Sequence, residues 1–207
     1  MPMFYVFTLP ASIPTTETVT GWAAVILRHD GAPDRAALAA ALAGLCRARG
    51  LSLLIARDAR LALRLRAGLH LADGMRPPAP WRLARRGLLT AAAHGGRALA
   101  RSAAFGADLA LLSPLFPTAS HSGGRALGPV RFAALARRAP LPVVALGGLT
   151  GRRVAAAARA GAVAVASVGA LAAPPSGTGP CCSAATVCPE THDQPTEPVD
   201  TSPAPSA

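Results

Sequence analysis

The sequence predicts an α/β fold: a (β/α)8 barrel over residues 1–173 with shortened first and last helices, followed by a disordered, low-complexity tail over 174–207. Three observations predict it. A helix-like segment ends in glycine and a short apolar run follows at Gly50, Gly68, Gly87, Gly106 and Gly161, with Pro140 in the same role once. Glycine suits the left-handed position that stops a helix, and an unbroken apolar run suits a strand buried on both faces. Eight such runs alternate with helical segments, which favours a barrel over the alternative, an open doubly wound sheet. Finally, 207 residues that are 51% hydrophobic suffice for one domain with a sizeable core.

In chain order, the first strand is FYVFT at 4–8. The stretch after it, PASIPTTETVTGW, carries prolines and β-branched residues and makes a poor first helix. Strands follow at 23–29 and 51–56, separated by a helix over 34–49, and then LHLA at 69–72 after a helix over 58–67. LLTAAA at 88–93 precedes a helix over 96–105, and ADLALLSP at 107–114 precedes one over 130–138. LPVVALGG at 141–148, a helix over 151–160 and AVAVASV at 162–168 complete the series. Only VGALAA remains before Pro174 and Pro175, which leaves little for a last helix. Beyond it, Pro, Ser and Thr with few large apolar residues read as disorder.

Composition excludes some chemistry. All 21 basic residues are arginine, so Schiff-base and P-loop lysines are ruled out. The body carries about +15 and the tail −4, within a net +11. A basic body attracts phosphorylated metabolites, anionic lipid or nucleic acid, but the arginines recur on helices between alanines, as solvated faces do. Aromatics are 4%, too few for stacking on bases, and no nucleic-acid module is recognised, so no nucleic-acid partner is expected. No membrane partner is expected either, because the longest apolar run, 162–173, is shorter than the roughly 20 residues a bilayer demands. Residues 1–10 lack a positive n-region, which points to the cytoplasm. Cys46 reads as a small core residue, and the spacing of Cys181, Cys182 and Cys188 fits no common zinc site.

Barrel chemistry collects at the carboxyl ends of the strands. There the sequence places Arg28, His29 and Asp30, then Arg57 and Asp58, His70 and Asp73, Thr90 to His94, Ser113, Thr118, Ser120 and His121, Gly147 and Gly148, and Ser167. VVALGGLTGRR puts two glycines between a strand and a helix, with Thr150 as candidate N-cap. Free backbone N–H groups, a hydroxyl and a helix N-terminus make an anion site, and barrels often bind phosphate after strands seven and eight. A structural turn is the alternative reading of Gly-Gly. The loop LLSPLFPTASHSGG, after the sixth strand, is expected to close over the ligand through Thr118 and Ser120, stiffened by Pro114 and Pro117.

The run LLSPLFPTASHSGG, followed by VVALGGLT and AVAVASVGAL, resembles the thiamine-phosphate synthase and thiazole tautomerase (TenI-like) family, whose corresponding segments read GPVFPT, AIGGI and VVSAI. VILRH, ARDARLA and GLHLADG fall where that family has QLR, NDRxDLA and GVHLGQ, and the resemblance covers about residues 23–171. It implies a barrel that binds a thiazole phosphate. In the synthase branch it also implies joining to a pyrimidine pyrophosphate with Mg2+. Carried over by position, Thr118, Gly148 and Ser167 hold the thiazole phosphate, Arg28 matches the family's arginine and His70 the histidine of GVHL. The resemblance thins on the pyrophosphate side. Ile26 stands at the glutamine, Asp30 at the lysine, Ala56-Arg57 at the asparagine-aspartate pair and Met75 at the second acidic position. An arginine in place of an aspartate repels the ion, which leaves Asp58 and Asp73 as metal candidates and lets Arg57 contact phosphate directly. Pro114 stands at the tautomerase histidine, so His94 or His121 would supply acid-base chemistry in that branch. A binding module that keeps the phosphate pocket without catalysis is the further alternative.

Overall fold

The computed structural model describes residues 4–8, 23–28, 30–84, 87–118 and 125–167. Two strands open the chain, β1 (Phe4–Thr8) and β2 (Ala23–Leu27). Helices and strands then alternate as α1 (Arg35–Ala48), β3 (Ser52–Ala56), α2 (Ala59–Leu65), β4 (Gly68–Leu71), α3 (Ala79–Ala84), β5 (Leu89–Ala93) and α4 (Gly96–Ala104). The series ends with β6 (Leu109–Leu112), α5 (Gly128–Arg138), β7 (Val143–Leu146), α6 (Gly151–Arg159) and β8 (Ala164–Ser167).

Most helix stops are as the sequence predicts, with Gly50, Gly106 and Gly161 at φ of +64°, +74° and +89°. Two depart from this: Gly87 lies outside the left-handed region, and in α2 Arg66 takes the left-handed cap at φ +53° while Gly68 already belongs to β4. Gly68 is required there for close approach, since a Cβ would lie 2.7 Å from the Leu88 carbonyl oxygen and 2.9 Å from Leu54 Cγ. The sequence reading also left out α3. Six residues are too few to display helical periodicity, but Pro80 is tolerated in the first turn and the fully buried Trp81 anchors the helix.

Strands β2 to β8 pair in sequence order, each parallel to the next, as a curled seven-stranded sheet. β1 pairs antiparallel with both β2 and β8, and the order closes through it. The expectation of eight parallel strands therefore holds for seven. Antiparallel neighbours need no crossover helix, and this removes the difficulty posed by the helix-poor residues 9–22. The shortened first and last helices, the tail at 174–207 and its cysteines lie outside the described residues. The chain divides into units Met1–Ala172 and Ala173–Ala207, of which only the first is described.

Alternation along the strands sorts side chains into layers. Ala24, Ile26, Leu54, Ala56, Leu111, Val144, Ala164 and Ala166 fill the space enclosed by the sheet. The opposite rows meet the helices in two clusters, one around Leu27, Leu69, Trp81 and the buried Cys46, the other around Leu99, Phe132 and Ala157. Four alanines alternate there with the larger Ile26, Leu54, Leu111 and Val144, which supply most of the side-chain volume in the enclosed space. No helix among the described residues is long and apolar enough to cross a membrane.

Candidate functional site

The carboxyl ends of β6, β7 and β8 converge on one rim. The loop after β6 is tied to β7 by two hydrogen bonds, Leu115 N–H to the Leu146 carbonyl (2.8 Å) and Phe116 N–H to the Gly147 carbonyl (3.1 Å). Its carbonyls in turn accept from the entry to α5, Pro114 from Leu127 N–H (2.9 Å) and Leu115 from Gly128 N–H (3.0 Å). So tied, the loop presses on the glycine pair. A Cβ on Gly147 (φ +102°) would lie 2.9 Å from Pro114 Cβ, and one on Gly148 (φ +62°) would lie 2.4 Å from the Pro117 carbonyl oxygen. Both positions therefore demand glycine on conformational and steric grounds. Arg153, one turn into α6, donates to the Gly148 carbonyl (2.8 Å) and lies 5.0 Å from the Phe116 ring centroid, a contact the sequence reading missed.

The half-buried Thr118 follows Pro117, whose carbonyl oxygen lies against Gly148. Leu146 pairs with Ala166, so Ser167 stands level with Gly147. Val165 packs in the outer cluster, and alternation gives Ser167 the same side, which makes its strand-end backbone the group nearest the rim. Thr150 occupies the N-cap of α6 in extended backbone and makes no side-chain cap hydrogen bond. Ser120, His121, Gly123, Gly124 and His29 lie outside the described residues.

Across the rim, β4 directs Gly68 and His70 inward, opposite to the outward Leu69 and Leu71. His70 Nδ1 lies 2.8 Å from Thr90 Oγ1, both groups buried. Burial, with Arg28 and Arg57 adding to it, pushes the His70 pKa down to about 3. The ring is therefore neutral at physiological pH and serves as a polar fixture of the interior. His94 is exposed and better placed for proton transfer. Its Nδ1 lies 2.9 Å from the Ser113 carbonyl, which can only accept, so Nδ1 carries the hydrogen and neutral His94 keeps its basic lone pair on Nε2.

Arg28 follows β2, beside Ala56 by the Leu27–Ile55 register, and Arg57 follows directly on Ala56. Here the acids are engaged by arginines. Arg35 lies 3.3 Å from Asp30 and 3.6 Å from Asp58, and Arg57 lies 3.2 Å from Asp30. Asp58 also caps α2, accepting from Leu61 N–H at 2.9 Å. Asp73, the other metal candidate, accepts from Arg101 at 2.8 Å and points to α4. Among the described residues no three His, Cys, Asp or Glu groups gather as a metal set would. Mg2+ asks for near-octahedral oxygen donors, and carboxylates already bound by guanidinium do not fit it. A cavity of about 440 Å³ opens beside Arg35 and Asp58, with Arg60 and Arg64 on its wall. Another of about 300 Å³, lined by Cys46, Leu51 and Gly68, lies at the amino ends of β3 and β4, away from this chemistry.

Comparison with known proteins bears on the same residues. The model of the thiamine monophosphate synthase family (TMP-TENI) matches residues 15–171. A thiamine-phosphate synthase of Methylobacillus flagellatus is 39% identical over 137 residues, covering 64% of this chain and 65% of that protein. The thiamine biosynthesis bifunctional protein ThiED of Geobacter sulfurreducens is 32% identical over 169 residues, 77% of this chain but 34% of that protein. The chain thus spans about a third of one of these relatives and just under two thirds of the other. A thiamine phosphate pyrophosphorylase structure from Pyrococcus furiosus superposes with a TM-score of 0.61 at 21% identity, covering 70% of this chain and 71% of that one, which shows a shared fold.

Proposed function

Since the chain belongs to the thiamine monophosphate synthase family, we propose that it couples a thiazole phosphate to a hydroxymethylpyrimidine pyrophosphate. The thiazole nitrogen forms a bond to the pyrimidine methylene carbon as that carbon's bond to pyrophosphate breaks. The single observation that supports the reading is the packing of the β6 loop, which leads into Thr118, against Gly147 and Gly148, beside the end of β8 in the β7–β8 register. Thr118, the glycine amides and the end of β8 receive the thiazole phosphate, with its charge toward the amino end of α6. Arg28 faces the leaving pyrophosphate, His70 orders the interior beneath it, and His94, with His121, handles protons at the rim. Residues 1–173 form the working unit, as a (β/α)8 barrel with one reversed strand, acting on soluble phosphorylated substrates in the cytoplasm. Family members of this kind use Mg2+, but the donors here do not fit it, and no step is assigned to the ion.

The test is direct. Purified protein mixed with both phosphorylated precursors is expected to release pyrophosphate and thiamine phosphate in equal amounts. Calorimetry with the thiazole phosphate alone is expected to show binding that Gly148→Ala abolishes. A folded protein that binds neither precursor overturns the proposal.

A further inference from the structure

We propose that the carboxyl ends of β2 and β3 form a diphosphate site that works without a divalent cation, in which Arg57 receives the anion while Arg35 holds the neighbouring carboxylates. The inference deepens the synthase reading and rests on it for the identity of the anion.

Arg57 carries the proposal through its backbone and its charge together. Its φ is +62°, and Asp58 N–H donates back to the Ala56 carbonyl (2.8 Å), so Arg57 is the central residue of a tight three-residue turn of a rare, strained kind. A non-glycine residue held there costs on the order of 1–3 kcal/mol and persists only where its surroundings fix it. They do so here, since Arg57 N–H also donates to the His70 carbonyl (2.9 Å). The strained turn thereby fixes the Arg57 backbone at the end of β3, and its guanidinium reaches Asp30 after β2. The partner of that guanidinium is exchangeable. Arg57 and Asp30 are 53% and 36% exposed, a pairing worth little in water. A diphosphate, with more charge and a matching fork of oxygens, outcompetes a single carboxylate.

Arg35 explains how the site dispenses with a cation. Its side chain is 15% exposed and touches both Asp30 and Asp58, besides donating to the Ala56 carbonyl. It thus holds both carboxylates at these strand ends, and together with Arg57 on Asp30 it matches their two negative charges from within the protein. Among the described residues, three guanidiniums, of Arg28, Arg35 and Arg57, stand with two carboxylates, of Asp30 and Asp58, at these strand ends, a balance that favours an anion. Burial is the main cause of the lowered His70 pKa, and the charges of Arg28 and Arg57 lower it further.

The experiment is calorimetric titration of the full chain with inorganic pyrophosphate, in EDTA and again in MgCl2, with thiazole phosphate titrated in parallel. Binding is expected in EDTA. Arg57→Gly is expected to weaken it by about tenfold or more while leaving Tm equal or higher, since glycine takes positive φ freely. Asp30→Asn, which removes the competing carboxylate, is expected to tighten it. Pyrophosphate binding that appears only with Mg2+, or that Arg57→Gly leaves intact, overturns the inference. If thiazole phosphate still binds in those samples, the synthase reading survives it; if neither ligand binds, both fall.

Discussion

Gly148 is where one added methyl group has the clearest cost. Its φ of +62° is unfavourable for alanine, and the Cβ would sit 2.4 Å from a backbone oxygen that two tethers hold in place. Gly148→Ala is therefore expected to lower stability by about 1–3 kcal/mol in urea melts, as left-handed strain and displacement of the β6 loop add. Ser167→Ala is expected to weaken thiazole-phosphate binding far less, because backbone there outweighs the hydroxyl. His70 sets a pH dependence. Its folded pKa of about 3 lies below the unfolded 6.5, so between these values the unfolded chain binds the extra proton and stability falls as pH falls. Between the two values the slope is about 1.4 kcal/mol per pH unit per proton, so the stability contribution is complete above pH 6.5 and is lost progressively toward pH 3. Denaturant melts of His70→Gln across this range are expected to lack that component. The glycine turn was legible because a motif spells it out. The Arg35 bridge was not, since its two acids come from different strand ends and only folding joins them.

Among the elements, the strands announced themselves as apolar runs, and most of the helices between them as the segments that end in glycine ahead of those runs. α5 shows how little anchors such a helix. Phe132 is its one fully buried large side chain, while Val130 is 86% exposed. Phe132→Ala is expected to cost about 3–5 kcal/mol in thermal or urea unfolding, and Val130→Ala to cost almost nothing. α3 was not legible, since its prolines read as a loop and its only signal is one tryptophan. The turn at Arg57 was half legible: the sequence shows an arginine where the resembled family has aspartate, but not the backbone that holds it.

For the whole molecule, closure depends on β1. Seven parallel strands leave two edges, and β1 covers both through five residue pairs with β2 and three with β8. Removing residues 1–8 exposes those edges, and the truncated chain is expected to elute as aggregate in size-exclusion chromatography where the full chain does not. The direction of β1 was not legible, because FYVFT fits either orientation and the sense is decided by the connection that follows. That direction also bears on how the protein is handled. Phe4 stands level with Leu27, at the rim that carries Arg28, whereas Thr8 stands level with Ala23 at the far end. A small dye attached at position 4 would thus sit at that rim and serve as an occupancy sensor, whereas one at position 8 would report on the opposite end.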